Sequence, residues 1–149
     1  LSKRNKGFTL IEVILVIFII GICSFVVFPT TSKLYERKIL ESTAQKIQST
    51  LLLAKQLSMD EVNSYCVESI DNGKGFRIRE TDLMGKTIFI EKFHPSIKFY
   101  FQNNSNHKIV YNHKGMTSYG KFTIMDTKNH KIKIETLIGT GRIIISKIY

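Results

Sequence analysis

The chain has no tryptophan, two cysteines, two prolines and nine glycines among its 149 residues, and each shortage removes a class of protein. Two cysteines cannot staple a small disulfide scaffold. Cys23 lies inside an apolar run and Cys66 outside it, so a bridge would join a lipid-embedded point to an aqueous one. Both are read as unpaired thiols that pack as small hydrophobes. His94, His107, His113 and His130 are too widely spaced for a local metal-ligand set, and no nucleophile motif occurs. The loop 71–75 has glycines but lacks the Lys-Ser/Thr pair that cradles phosphate. The expectation is therefore no metal site, no cofactor and no enzyme.

What is present is charge of one sign and one long apolar run. Lys and Arg number 22 against 12 Asp and Glu, a formal charge of +10, and residues 86–149 hold +8 of it. The length suits one domain with a modest core once the apolar run is set aside. Lys3, Arg4 and Lys6 precede Phe8–Phe28, in which Glu12 is the only charged residue. A helix of that length spans ~30 Å, enough for a bilayer, and its basic flank marks the cytoplasmic side. The run ends Phe25-Val26-Val27-Phe28-Pro29 without small residues for signal-peptide cleavage, and the bulky Ile22 before Cys23 argues against a lipoprotein signal. Glu12 has two readings from its chemistry: it snorkels to the headgroups, or a partner cation meets it, since a carboxylate in hydrocarbon costs up to ~3 kcal/mol.

Lys6-Gly7-Phe8-Thr9-Leu10-Ile11-Glu12-Val13 resembles the cleavage and methylation motif of type IV prepilins and pseudopilins. The resemblance implies a leader of residues 1–7, removed by prepilin peptidase between Gly7 and Phe8, and N-methylation of Phe8. It also implies a filament-assembly role for Glu12. A buried carboxylate is tolerated beside a cation, and the freed Phe8 amine of a neighbouring subunit is one. The partners implied are other pilins or pseudopilins through the N-terminal helix, prepilin peptidase, the membrane, and an assembly platform with its motor ATPase. The chain would cross the cytoplasmic membrane once through residues 8–29 and reach the cell surface in a filament.

Pro29 predicts a helix break, with a restart near Thr31 or Ser32, because proline removes a hydrogen bond at ~3 kcal/mol. Across residues 30–63, Leu40, Ala44, Ile47, Leu51, Ala54 and Leu57 recur at spacings of four and three, one apolar face of an amphipathic helix. Glu41, Lys46, Gln48, Lys55 and Gln56 form the polar side. Residues 64–149 alternate instead. Strands are predicted at 65–70, 76–80, 87–93, 97–101, 108–111, 121–125, 131–135 and 142–147, the first two joined by a turn in which Gly73 and Gly75 permit positive φ. The fold class is α+β, a long N-terminal helix packed on a C-terminal antiparallel β-sheet.

The series Tyr111-Asn112-His113-Lys114-Gly115, Gly120-Lys121-Phe122-Thr123-Ile124, Ile132-Lys133-Ile134 and Gly141-Arg142-Ile143-Ile144-Ile145 resembles GspH/FimT-type minor pseudopilins, whose competence members include ComGD. That resemblance implies a minor subunit of a filament supporting DNA uptake in natural transformation, with a type II secretion pseudopilin or a DNA-receptor pilin at a pilus tip as alternatives. Lys121, Lys128, Lys131, Lys133, Arg142 and Lys147 are the candidate DNA contacts, and Ile143 stands where a second arginine occurs in some members. Six phosphate contacts would give log K a salt slope of about −5. A solvated lysine-rich edge that resists aggregation, or a surface opposing an anionic envelope polymer, explains the same residues.

Overall fold

The computed structural model describes residues 8–82, 84–101 and 107–148, excluding the side chains of 25–33 and 148. The leader 1–7 with Gly7, and the Pro29 side chain, lie outside the described residues. Two compact units are present, Leu1–Arg37 and Lys38–Tyr149, and helix α1 (Leu10–Asp60) contributes to both. In place of the expected break and restart, α1 is unbroken through Pro29. A proline forfeits one i→i−4 bond while the turns on either side keep theirs.

In the first unit the apolar side chains from Phe8 to Ile22 are exposed. Among the described residues, no helix is long and apolar enough to cross a membrane.

In the second unit, Leu40, Ala44, Ile47, Leu51 and Ala54 are at most 2% exposed, and Leu57 packs against them from a half-buried position. The predicted face is therefore the core face. Thr43, Thr50 and Ser58 are buried beside it. Thr43 and Ser58 satisfy their hydroxyls on the helix's own carbonyls, at Ile39 (2.8 Å) and Lys55 (2.7 Å), which lets a polar side chain sit inside.

The strands are β1 (Tyr65–Ile70), β2 (Gly75–Glu80), β3 (Thr87–Lys92), β4 (Lys98–Phe99), β5 (Lys108–Tyr111), β6 (Gly120–Met125), β7 (Lys131–Thr136) and β8 (Ile143–Ile148). They form two antiparallel sheets, not one, in the orders β3-β2-β1-β5 and β4-β6-β7-β8. Val67, Phe76, Ile78 and Ile109 of the first sheet and Phe122, Ile124, Ile132 and Ile134 of the second meet the helix in a single core. In the turn between β1 and β2, positive φ falls on Asp71, Asn72 and Gly73. Gly75 serves differently: a Cβ there would stand 2.6 Å from the Glu91 carbonyl oxygen, so its absence lets β2 and β3 approach.

Candidate functional site

Two regions carry the residues singled out in the sequence, the head of α1 and the strands of the second sheet. Thr9 precedes the first helical residue, and its carbonyl accepts from the amides of Glu12 (3.1 Å) and Val13 (3.3 Å). The Glu12 carboxylate turns back toward the Thr9 amide at a long 3.5 Å. Thr9-Leu10-Ile11-Glu12 is thus a capping-box sequence, legible in S/T-x-x-E and missed in the reading of Glu12 as an isolated charge. In the first turn the carboxylate also lies near the free amides that begin the helix. Phe8, at 82% exposure, and Glu12, also exposed, are placed together at the end of the unit where α1 begins.

The six candidate DNA contacts do not form one surface. Register puts Lys121, Lys131 and Lys133 on one face of the second sheet, with Glu135 opposite Lys121. Lys133 Nζ lies 2.9 Å from Glu135, and the Tyr119 hydroxyl donates to the same carboxylate at 2.6 Å. The bond from Tyr119 and then those from Lys133 outweigh burial and hold the Glu135 carboxyl below its ordinary range. Lys131 sits over the Tyr100 ring, 3.8 Å from its centroid, as a cation–π contact. Lys147 pairs with Ile132 and hence faces the helix side, where it meets Glu41 at 2.6 Å. Lys128 lies in the β6–β7 turn and Arg142 in the β7–β8 turn, at opposite ends of β7, roughly 17 Å apart at ~3.3 Å per residue. Of the six, Lys131, Lys133 and Lys147 are engaged locally.

Sequence reading missed a cluster on the other sheet. Glu68 of β1 pairs with Arg77 of β2 on one side and Lys108 of β5 on the other, and Arg79 shares their face. Glu68 Oε1 accepts from Arg77 Nε (2.6 Å) and Nη2 (2.5 Å) and from Arg79 Nε (3.2 Å). Cys66, on the same face, is buried; burial first and Glu68 next push its thiol up, while Arg79, Lys108 and Arg77 oppose them. The signal was available as alternation, Cys66-x-Glu68 against Arg77-x-Arg79, but the pairing with β5 joins residues about forty positions apart.

An open groove of about 410 Å³ lies between the helix and the first sheet, lined by Ser42, Gln45, Ser49, Phe76 and Phe89, and closed at one side by the Lys46–Glu91 pair. Among the described residues, no group of three or more His, Cys, Asp or Glu is placed to hold a metal ion, and Cys23 and Cys66 are both free thiols.

Comparison with known proteins agrees with both ends of the chain. The family described as the prokaryotic N-terminal methylation motif matches residues 2–28. No curated protein sequence matches the chain. Among solved structures, the type IV minor pilin FimU of Pseudomonas aeruginosa is similar with a TM-score of 0.60 at 14% identity, over 74% of this chain and 90% of that one. The minor pseudopilin EpsH from the type 2 secretion system of Vibrio cholerae is similar with a TM-score of 0.58 at 9% identity, over 72% of this chain and 96% of that one. The chain thus carries a minor-pilin-like α+β fold behind a prokaryotic N-terminal methylation motif.

Proposed function

We propose that this protein is a minor pilin-type subunit of a type IV pilus-like filament, made as a precursor. Prepilin peptidase removes residues 1–7 between Gly7 and Phe8, and the new Phe8 amine is methylated. Residues 8–29 hold the chain in the cytoplasmic membrane, with the C-terminal unit outside, until the assembly platform and motor ATPase extract it. Other pilin-type subunits are its partners in the filament.

The observation that carries this reading is the matched block at residues 2–28, with Glu12 in the first turn of a helix whose neighbouring side chains are apolar and exposed. A carboxylate at that place is stabilised when a neighbour's freed amine reaches it, and the pairing fixes axial register. The expected result for Glu12→Ala is normal leader removal with at least tenfold less incorporation into filaments, the ~1.4 kcal/mol equivalent of losing one charge-assisted contact. Normal incorporation of that variant would refute the latch.

We place the filament in a DNA-uptake system, supported by the +8 charge of residues 86–149. The alternative is type II secretion, favoured by the likeness to EpsH. A deletion strain assayed for transformation and secretion side by side decides: loss of transformation alone supports uptake, and loss of secretion alone supports the alternative. The DNA-receptor reading built on the second sheet is weakened by the separation of Lys128, Arg142 and Lys147 from the other three lysines.

A further inference from the structure

On the second sheet Lys131, Lys133 and Lys147 each meet a separate partner, whereas the first sheet gathers three cations about one carboxylate. Lys108, Glu68 and Arg77 stand in a row across β5, β1 and β2, and Arg79 lies two residues along from Arg77. At ~4.8 Å between strands and ~3.3 Å per residue, the three cations occupy a patch roughly 10 by 7 Å. Glu68 offers one negative charge, and its single oxygen Oε1 takes both guanidiniums, so the patch keeps a formal +2.

The geometry leaves donors pointing away from Glu68. An arginine has five N–H groups. Bonds engage Nε and Nη2 of Arg77, and Nε and Nη1 of Arg79, the last to the Asp82 carbonyl at 3.3 Å. Lys108 is exposed and has no ion-pair partner among the described residues. Arg77 and Arg79 keep side-chain exposures of 36% and 24%, so the pair is fixed by Glu68 yet open to solvent. Two guanidiniums held in place by a shared carboxylate lose little freedom on meeting an anion, and their forks match phosphate oxygens better than lysine point charges.

We propose that the outward face of the first sheet, through Arg77, Arg79 and Lys108, docks the phosphodiester backbone of DNA. Glu68 offsets part of their charge in the free protein. The contact is to the phosphodiester backbone and independent of sequence. The proposal deepens the DNA-uptake reading and rests on it only for the source of the polyanion.

The test uses the full chain in detergent micelles and a labelled DNA duplex of about 30 base pairs, with binding followed across salt concentration. Two to three phosphate contacts predict a slope of log K on log salt of about −2 to −3. Lys108→Gln flattens it by about one and weakens binding, whereas Glu68→Gln, which releases the arginines from their carboxylate, tightens binding. An ion pair that lies away from the DNA contact leaves affinity unchanged in both variants. The double variant Lys131→Gln/Lys133→Gln leaves affinity within about twofold. Absence of DNA binding, indifference to both first-sheet variants, or loss of binding only in the second-sheet variant overturns the proposal. Competition by poly(glycerol phosphate) supports recognition of the phosphodiester chain itself; binding that this polymer cannot displace supports nucleic acid as the source. Leader removal, read by mass on the same preparations, is independent of these outcomes, so failure here leaves the filament reading standing.

Discussion

Asp126 shows how one side chain sets a turn. It is 3% exposed, and its Oδ1 accepts from the amides of Lys128 (2.8 Å) and His130 (2.9 Å), while Oδ2 meets His130 Nδ1 at 2.7 Å. Burial works against its charged form, but the His130 ring bond and the two amides outweigh it and hold the carboxyl below its ordinary range. A carboxyl depressed in the folded state stabilises fully above its unfolded value of ~3.9, and the contribution is lost as pH falls through the lower folded value. Asp126→Ala is expected to cost about 1–3 kcal/mol in urea unfolding near pH 7, and the gap to the parent narrows toward pH 2. A gap that does not change with pH would show that the carboxylate charge is irrelevant there. In the sequence Asp126 was one acidic residue among lysines; its role depends on a hairpin that folds the chain back within four residues.

At the scale of elements, Gly75 and the Glu41–Lys147 pair differ in what they hold. Gly75→Ala puts a Cβ against backbone, at the Glu91 oxygen, and neither strand can yield without losing ladder bonds. The expected loss is about 1–3 kcal/mol, read as a lower denaturant midpoint with unchanged slope. Lys147 and Glu41 are 49% and 32% exposed, so solvent screens their 2.6 Å contact. A double-mutant cycle through Glu41→Gln and Lys147→Gln should return a coupling below ~1 kcal/mol; a value above 2 would show that the pair clamps β8 to the helix. The core face of the helix was legible because Leu40, Ala44, Ile47, Leu51 and Ala54 obey a local period. The eight strands were legible by alternation, with ends shifted by a residue or two, and β4 shrank to Lys98–Phe99. The division into two sheets was not, because the β1–β5 pairing is a long-range choice that no local pattern states. Lys147 was misplaced for a related reason: it alternates with Ser146, and only the register of β8 on β7 tells which of them faces the helix.

For the whole molecule, the chemistry concentrates at the N-terminal end and the fold in residues 38–149. The sequence announced the former directly, since a carboxylate five residues beyond Gly7 in an apolar run is a local feature. It announced the latter only as a class, and the sites on it dispersed or regrouped when strands paired. Precursor processing decides whether the chain is a pilin-type subunit. The most direct measurement is the mass of the N-terminal peptide from protein made in cells with active prepilin peptidase. The account predicts a chain beginning at Phe8 and carrying one added methyl group on its amine. Protein from such cells that still retains residues 1–7 would contradict it.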